Sequence, residues 1–285
     1  MEYIGTIYRP PSEANSLIIQ ATIGCSSNTC AFCSMYKNQR FKIREINEIK
    51  ADLLEIKPPV SRIFLCDGNA FVMETEALLS IAACCHERFP QLERITSYAL
   101  PGDILQKSEK ELKALHEAGF KMLYLGLESG SDKVLQKMGK GASRQDMIDC
   151  ARKLKPSGIA LSVMAITGLG GQELMEEHAI ETASALSAME PEFVGLLALM
   201  VDSRSKLHEY IANGNFTLLT PQQVVEEMLI IIQNLFLSKC FFSSVHASNY
   251  ISLRGTFPQD KEKLIAKAKQ YLQNGCFRNE NLRRL

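Results

Sequence analysis

A regular alternation of β-type and helical patterns along the 285-residue chain constrains the fold more than any other feature. Short runs rich in β-branched and apolar residues predict strands at Leu17–Ile23, Ser61–Cys66, Arg94–Tyr98, Met122–Leu127, Ala160–Ile166 and Phe193–Met200. Amphipathic stretches predict helices at Ile43–Glu55, Glu74–Arg88, Ser108–Ala118, Arg144–Lys155, Glu173–Ala188 and Pro221–Phe236. Strands that alternate with helices in this way predict a parallel sheet with crossover helices.

The number of strand–helix units indicates the architecture. Six units predict an α/β fold, a partial (β/α)6 TIM-like barrel, rather than a closed barrel of eight units. A doubly wound sheet is the alternative, because strand order is not visible in the sequence. We expect residues 1–15 to form an N-terminal arm, residues 16–235 the core barrel, and residues 236–285 a short C-terminal extension. That extension contains one more predicted strand, at Cys240–Val245, and a final helix at Asp260–Leu272.

Three cysteines lie in one polar loop directly after the first predicted strand. They are Cys25, Cys30 and Cys33, and the carboxyl end of a barrel strand is where active sites form. A structural zinc site is closed by four ligands, whereas three thiolates leave part of a bound metal group open. The spacing therefore predicts a 4Fe–4S cluster with one open iron. Cysteines that merely line a core, or a zinc site completed by a distant ligand, are the alternatives.

Composition narrows the class of protein. Lys+Arg and Asp+Glu each number 32, so no net charge draws the chain toward nucleic acid or an anionic membrane. The nine cysteines include the adjacent pair Cys84 and Cys85, which does not fit a secreted disulfide framework. No signal-peptide pattern follows Met1, and the longest apolar run, Phe193–Val201, is too short to span a bilayer. The chain is therefore expected to be cytoplasmic and reduced.

The loops after three further strands carry residues that suit a small ligand. Asp67-Gly68-Asn69 follows the second strand and would aim backbone amides and side-chain acceptors at a ligand such as an amine. Glu128 ends the fourth strand, where ribose hydroxyls are typical partners of a carboxylate. Gly168-Leu169-Gly170-Gly171 follows the fifth strand and permits close backbone contact with a flat ligand. Ordinary turns, and an N-cap at Ser129 or Ser131, are the alternatives.

With these residues in place, the chain resembles the radical S-adenosylmethionine enzymes. Its Cys-x4-Cys-x2-Cys loop, with Phe32 before the last cysteine, matches the superfamily's cluster loop, although the commonest first gap has three residues. Glu128 and Lys140 match the methylthiotransferase and coproporphyrinogen-oxidase branch. The resemblance covers about residues 16–235. It implies an oxygen-sensitive 4Fe–4S cluster, S-adenosylmethionine, and a low-potential electron donor of the ferredoxin or flavodoxin type.

The resemblance also implies a role for each matched residue. Cys25, Cys30 and Cys33 would hold the cluster. The residues that would bind S-adenosylmethionine are Asp67, Gly68 and Asn69 at the methionine amine, Lys140 at its carboxylate, Glu128 at the ribose, Gly168 and Leu169 at the adenine, and Tyr98 as a further contact. Reductive cleavage of S-adenosylmethionine would give a 5′-deoxyadenosyl radical. This radical would abstract a hydrogen atom from an unidentified substrate, which is either a small molecule or a substrate of another class.

A small bacterial and archaeal subgroup, often labelled coproporphyrinogen-oxidase-like, shares three further stretches with the chain. They are Arg9–Ala14, Ser34–Lys37 and His246–Tyr250. His246 and Asn249 follow an apolar strand and are the candidate catalytic residues on the substrate side, with a structural histidine as the alternative. The C-terminal extension is expected to cover that side of the barrel. An iron–sulfur electron-transfer or cluster-carrier protein, and a zinc hydrolase, remain as alternative classes of protein.

Overall fold

A computed structural model describes residues 2–284 of the chain. The strands are β1 (Leu17–Gln20), β2 (Thr22–Ile23), β3 (Lys42–Ile43), β4 (Arg62–Cys66), β5 (Arg94–Ala99), β6 (Phe120–Glu128), β7 (Ala160–Thr167), β8 (Phe193–Ala198), β9 (Cys240–Ser243) and β10 (Arg254–Phe257). The helices are α1 (Ile46–Glu55), α2 (Thr75–Arg88), α3 (Pro101–Leu105), α4 (Glu109–Glu117), α5 (Asp132–Lys137), α6 (Arg144–Leu154), α7 (Met175–Met189), α8 (Lys206–Ala212), α9 (Pro221–Asn234) and α10 (Lys261–Asn274). Within residues 2–284, no helix has both the length and the apolar character that a membrane span needs.

The chain divides into two compact units. The first unit comprises residues 2–28, 35–125 and 149–161, and the second comprises residues 29–34, 126–148 and 162–284. The cysteine loop therefore contributes Cys25 to the first unit, and Cys30 and Cys33 to the second.

In the first unit, β1, β4, β5 and β6 follow one another across the sheet as parallel neighbours. Four of the five residues of β4 are buried, as is typical of a parallel strand covered on both faces. Helix α1 contributes the fully buried Ile49 and Leu53 to this core, and α2 contributes Leu78 and Ile81. The short strands β2 and β3 form a separate antiparallel pair.

Glu13, in the stretch predicted to be an N-terminal arm, is bonded to other residues of the first unit. The carboxylate of Glu13 is fully buried, and it accepts hydrogen bonds from Arg94 at 2.8 Å and from the hydroxyls of Tyr124 and Ser16. Burial is the main cause that raises the pKa of the Tyr124 phenol, which therefore keeps its proton and donates it.

In the second unit, β7, β8 and β9 are parallel neighbours, and β10 pairs antiparallel with β9. The C-terminal extension thus contains two strands and a helix, where the sequence pattern predicted one strand and a helix. Strand β10 lacks the apolar alternation that marks a strand, because it reads Arg-Gly-Thr-Phe and a proline follows it.

The strand order decides between the two predicted architectures. In each unit, every long parallel strand lies beside the parallel strand that precedes or follows it in the chain. A doubly wound sheet would reverse direction at a switch point, so that alternative is wrong. The predicted α/β class, with the strand order of a partial barrel, is confirmed.

The first predicted strand and the first predicted helix differ from the structure. The run Leu17–Ile23 is two strands, because β1 pairs with β4 while β2 turns to pair with β3. Ile43 is in β3, and the helix predicted from that residue begins at Ile46. The guanidinium of Arg44 fixes this corner by donating to the carbonyl oxygen of Gln20 at 2.8 Å.

Candidate functional site

Cys25 and the loop after β4 lie in direct contact in the first unit. A Cβ atom built on Gly68 would be 2.6 Å from the Cβ of Cys25 and 2.6 Å from the carbonyl oxygen of Gly24. Two side-chain carbons cannot approach so closely, and the backbone oxygen cannot move aside easily, so this position requires glycine. The loop that the sequence assigned to the methionine amine is therefore packed against the first predicted cluster ligand.

Asn69 fixes the residue that follows Cys25. Its side-chain oxygen accepts the backbone N–H of Ser26 at 3.0 Å, and its amide nitrogen donates to the Ser26 hydroxyl at 2.8 Å. The same nitrogen donates to the carboxylate of Asp103 at 3.0 Å. Burial raises the pKa of Asp103, and the backbone N–H of Leu100 opposes that shift. The fully buried Asn69 amide is thus engaged in shaping the cysteine loop.

Asp67 is also fully buried, and its carboxylate is held by two side chains. The phenol of Tyr36 donates to one oxygen at 2.6 Å, and the amide of Gln20 donates to the other at 3.4 Å. Burial raises the pKa of Asp67 to about 6, and the hydrogen bonds from Tyr36 and Gln20 oppose the shift. Burial, reinforced by Asp67, also raises the pKa of Tyr36, so the phenol is the donor. The backbone N–H of Asp67 in turn donates to Thr22, so both the side chain and the main chain of Asp67 are fixed.

In the second unit, the segment that carries Cys30 and Cys33 is fixed from two sides. The Thr29 hydroxyl donates to the carbonyl oxygen of Gly139 at 2.8 Å, and the N–H of Ala31 donates to that of Met138 at 2.7 Å. On the other side, the N–H of Leu207 donates to the carbonyl oxygen of Ala31 at 2.9 Å. The turn at Met138 and Gly139, which accepts the bonds from Ala31 and Thr29, leads directly into Lys140.

Glu128 and Lys140 form an ion pair of 3.0 Å between Glu128 Oε1 and Lys140 Nζ. Only 14% of the glutamate side chain and 7% of the lysine side chain are exposed. Glu128 has a φ of 62°, a left-handed conformation that is uncommon for a residue other than glycine. Backbone strain of this kind often marks a functional position. Of the two candidate N-caps, Ser129 and Ser131, it is the hydroxyl of Ser131 that caps α5 by accepting the Val134 N–H.

The glycine loop after β7 turns sharply at Gly168, whose φ is +86°. Its backbone N–H donates to the Glu227 carboxyl at 2.5 Å. Leu169 is fully buried in an apolar cluster, and Phe32, the residue before Cys33, packs against that cluster. The other buried members of the cluster are Ala31, Val134, Met138, Leu207 and Phe216. The side chain of Leu169 is therefore part of the apolar core beside the cysteine segment.

Tyr98, a further predicted cofactor contact, is a half-buried residue of β5 in the first unit. Its ring makes edge-to-face contacts with Phe64 at 5.1 Å and with Tyr124 at 6.0 Å between ring centroids. These contacts fix the orientation of the Tyr98 ring near the carboxyl end of its strand.

His246 and Asn249 lie in one loop of the second unit. The Asn249 amide nitrogen donates to the carbonyl oxygens of Leu196 at 2.7 Å and Ser244 at 2.9 Å, and the side chain is fully buried. The half-buried His246 contacts the Ser248 hydroxyl at 2.9 Å through Nδ1, and burial lowers its pKa. Asn249 therefore fixes this loop to β8, and the catalytic role of both residues stays a prediction.

Several residues around the predicted site were not found from the sequence. His178 and Glu227 are fully buried, and they contact the loops after β6 and β7. Glu227 stands on the apolar face of α9 beside the buried Val224 and Ile231. A charged residue on an apolar helix face is unusual, and this is the signal that would have identified it. Tyr36 lay inside a stretch shared with the coproporphyrinogen-oxidase-like subgroup, without an assigned role.

Residues 19–183 match the family model of the Radical SAM superfamily. Because this match covers more than half of the chain, the chain belongs to that superfamily, as its cysteine loop predicted. It is an enzyme of the radical SAM class. The family implies a 4Fe–4S cluster and S-adenosylmethionine as cofactors, and a reductant as the source of electrons.

Curated and solved relatives are consistent with this assignment. The chain is 26% identical to the heme chaperone HemW of Bacillus subtilis over 182 residues, which is 62% of this chain and 46% of that protein. Coproporphyrinogen III oxidase (HemN) from Escherichia coli has the same fold with a TM-score of 0.58 and 14% identity, covering 76% of this chain and 52% of that one. Methylornithine synthase (PylB) gives a TM-score of 0.54 with 16% identity, covering 78% and 63%. The chain thus spans less than two thirds of these relatives' length.

The three cysteines suit an iron–sulfur cluster chemically. Cys25, Cys30 and Cys33 are all half-buried residues. Thiolates are the usual ligands of such clusters, and in a 4Fe–4S cluster each thiolate binds a different iron. Within residues 2–284, no group of three or more His, Cys, Asp or Glu side chains is arranged to hold a metal ion. By the chemistry of their thiolates, the three cysteines suit the cluster that the family implies.

Proposed function

We propose that this enzyme binds a 4Fe–4S cluster through Cys25, Cys30 and Cys33 and uses it to cleave S-adenosylmethionine. One observation carries the proposal. In each unit, the cysteine segment is hydrogen-bonded to the loop that is expected to bind S-adenosylmethionine. Asn69 holds Ser26 in the first unit, and Gly139 holds Thr29 in the second. Within each unit, then, a cysteine segment is bonded to a loop expected to bind the cofactor, which favours a cofactor role for the three cysteines.

Cys25, Cys30 and Cys33 would hold the cluster, which in its reduced form would supply the electron that splits S-adenosylmethionine into methionine and a 5′-deoxyadenosyl radical. That radical would take a hydrogen atom from the substrate. The chain's own residues bind and orient the cofactor. The Lys140 ammonium suits the methionine carboxylate, since charge-assisted hydrogen bonds are the stronger ones. The Glu128 carboxylate suits the ribose hydroxyls as an acceptor. Both groups have a partner in each other, so ligand binding would exchange or extend that pair.

The remaining predicted residues take the other parts of the ligand. The main chain at Asp67-Gly68-Asn69 would receive the methionine amine, and the main chain at Gly168 and Leu169 would contact the adenine. Tyr98 would be a further contact. His246 and Asn249 would face the unidentified substrate, next to a C-terminal extension that covers it. A low-potential donor of the ferredoxin or flavodoxin type would supply the electron, in the cytoplasm.

Anaerobic reconstitution tests the cluster. We expect four irons and four sulfides per chain, an oxygen-sensitive visible absorbance, and loss of both in Cys25→Ala, Cys30→Ala or Cys33→Ala. Cys84→Ala and Cys150→Ala are the matched controls and should load normally, because these cysteines lie in α2 and α6. A triple variant of the three loop cysteines that still takes up four irons would contradict the proposal.

Chromatography of a dithionite-reduced reaction tests the chemistry. The loaded protein should convert S-adenosylmethionine to 5′-deoxyadenosine and methionine, slowly even without its substrate. A fully loaded protein that forms no 5′-deoxyadenosine would favour an electron-transfer or cluster-carrier protein. Metabolites that accumulate in a deletion strain would then identify the substrate of an active enzyme.

A further inference from the structure

Two fully buried ionisable residues of the second unit join the loops that follow β6 and β7. Glu227 of α9 accepts the N–H of Gly168 through Oε2 at 2.5 Å. His178 of α7 contacts the Ser129 hydroxyl through Nδ1 at 2.8 Å and the carbonyl oxygen of Ile166 through Nε2 at 3.0 Å. The His178 Nε2 lies 4.0 Å from the Glu227 Oε2. Both residues thus connect helices to loops that the proposed function assigns to the adenosine.

The contacts of His178 show which of its two ring nitrogens carries the hydrogen. The carbonyl oxygen of Ile166 can only accept, so the hydrogen of the neutral imidazole is on Nε2, and Nδ1 accepts from the Ser129 hydroxyl. That hydroxyl in turn accepts the N–H of Ser131 at 3.0 Å. Burial lowers the pKa of His178 to about 4, which keeps the imidazole neutral. His178 therefore fixes the loop that begins directly after Glu128.

Helix α7 approaches both loops closely. A Cβ built on Gly170 would be 2.9 Å from the Cβ of His178, so the glycine loop rests on this side chain. The hydroxyl of Thr182, one turn further along α7, accepts the N–H of Gly130 at 2.9 Å. One helix face therefore supports the loops after both strands.

The buried carboxyl of Glu227 destabilises the fold at its position. Burial raises the pKa of its carboxyl to about 8, and its Oε1 has no hydrogen-bond partner among the described residues. A buried polar atom without a partner destabilises a fold, and an apolar side chain of similar size would remove that cost. The carboxyl does satisfy one group, the N–H of Gly168, where the chain turns away from β7. The favourable contribution of Glu227 is therefore its hydrogen bond to the glycine loop.

We propose that Glu227 and His178 are positioning residues for the adenosine part of S-adenosylmethionine. Glu227 holds the turn at Gly168, and His178 holds the loop after Glu128, so that the adenine and ribose contacts are in place before the ligand binds. Preorganised contacts bind more tightly because the ligand does not have to order them. This inference rests on the proposed function, since it concerns the same cofactor.

Affinity for S-adenosylhomocysteine, which binds without being cleaved, tests the inference on the anaerobically reconstituted enzyme. Calorimetry should give a dissociation constant for Glu227→Gln within about threefold of wild type, because the glutamine oxygen still accepts the Gly168 N–H. Glu227→Leu has no acceptor, and its affinity should be at least about tenfold weaker. Its iron content should be unchanged. Glu226→Gln, on the same helix but paired with Gln222, is the matched control.

The results separate positioning from packing. If Glu227 only filled space, leucine would serve as well as glutamine, and equal affinities in the two variants would overturn the inference. Ser129→Ala provides a second test with a variant small enough to fold, since it removes the hydroxyl that His178 contacts. We expect about fivefold weaker binding there, and unchanged affinity in both Ser129→Ala and Glu227→Leu would also overturn the inference. A wild-type enzyme that carries its cluster but binds no S-adenosylhomocysteine would instead overturn the proposed function, and this inference with it.

Discussion

Lys140 donates to Glu128 at 3.0 Å, so two residues that the sequence assigned to different parts of one ligand bind each other. Both side chains are close to buried, and the removal of one would leave the charge of the other in a site with little water. In the pair, each charge compensates the other. It also makes the two residues interdependent in any binding experiment.

Lys140→Ala should weaken S-adenosylmethionine binding by about 1.5–3 kcal/mol, because a charge-assisted hydrogen bond is lost. Cluster content should not change, since lysine does not ligate iron. Lys137→Ala is the control, because Lys137 forms an exposed pair with Glu173, and exposed pairs contribute little. Calorimetry that finds unchanged affinity in both Lys140→Ala and Glu128→Ala would show that the pair is only structural.

Gly68→Ala should lower the iron bound after reconstitution severalfold. The added Cβ would lie 2.6 Å from the Cβ of Cys25 and would displace that ligand or the loop. Gly102→Ala is the control, because a Cβ on that helical residue meets nothing within 4 Å. Iron and sulfide analysis decides the outcome, and normal loading of Gly68→Ala would mean that the cysteine loop adapts freely.

Glu227→Gln should raise stability more at high pH than at low pH. Burial raises the pKa of Glu227 to about 8 in the folded chain from an ordinary 4.5. The folded state therefore binds the proton more tightly than the unfolded state, and wild-type stability falls as the pH rises from 4.5 to about 8. Glutamine cannot ionise, so its advantage in thermal midpoint should grow between about pH 5 and about pH 8.

The pKa of the neighbouring His178 is lowered from 6.5 to about 4, so the stability that it contributes is lost only as the pH falls below 6.5. The comparison between pH 6.5 and about pH 8 therefore reports on Glu227. A difference in thermal midpoint that stays constant from about pH 5 to about pH 8 would contradict the assignment of a raised pKa to Glu227.

Arg283→Ala should destabilise the second unit by about 1.5–3 kcal/mol. The buried guanidinium donates to the carbonyl oxygens of Leu199 at 2.7 Å and Ser248 at 2.6 Å, and it stacks 4.1 Å above the ring of Tyr250. Its loss leaves buried acceptors without donors. Urea unfolding should show the effect, whereas Arg284→Ala, which changes an exposed side chain, should behave like wild type.

Much of the fold could be predicted because its signals are local. The apolar run Arg62–Cys66 and the amphipathic helix Thr75–Arg88 each agree within one residue with the predicted element. Ser131 was identified as a helix cap because capping depends on neighbours along the chain. Strand β10 has no such signal, since its pairing with β9 comes from tertiary contact.

The supports of the candidate site were not predictable in the same way. Glu227 contacts Gly168, which is 59 residues away in sequence, and His178 contacts Ser129, which is 49 residues away. No pattern in either segment indicates the other. The cysteine loop was recognisable because its ligands are close in sequence, whereas the residues that hold it in shape come from distant elements.

The burial of the Asp67 side chain has a consequence for tracing this enzyme's ancestry. Tyr36 and Gln20 hold its carboxylate from inside the protein, so these three residues could be exchanged together for another set that keeps the same backbone path. Gly68 has no such freedom, because Cys25 occupies the space beside it. Distant homologues are therefore better sought by a glycine that follows the second strand than by the tripeptide Asp-Gly-Asn, whose outer members can diverge.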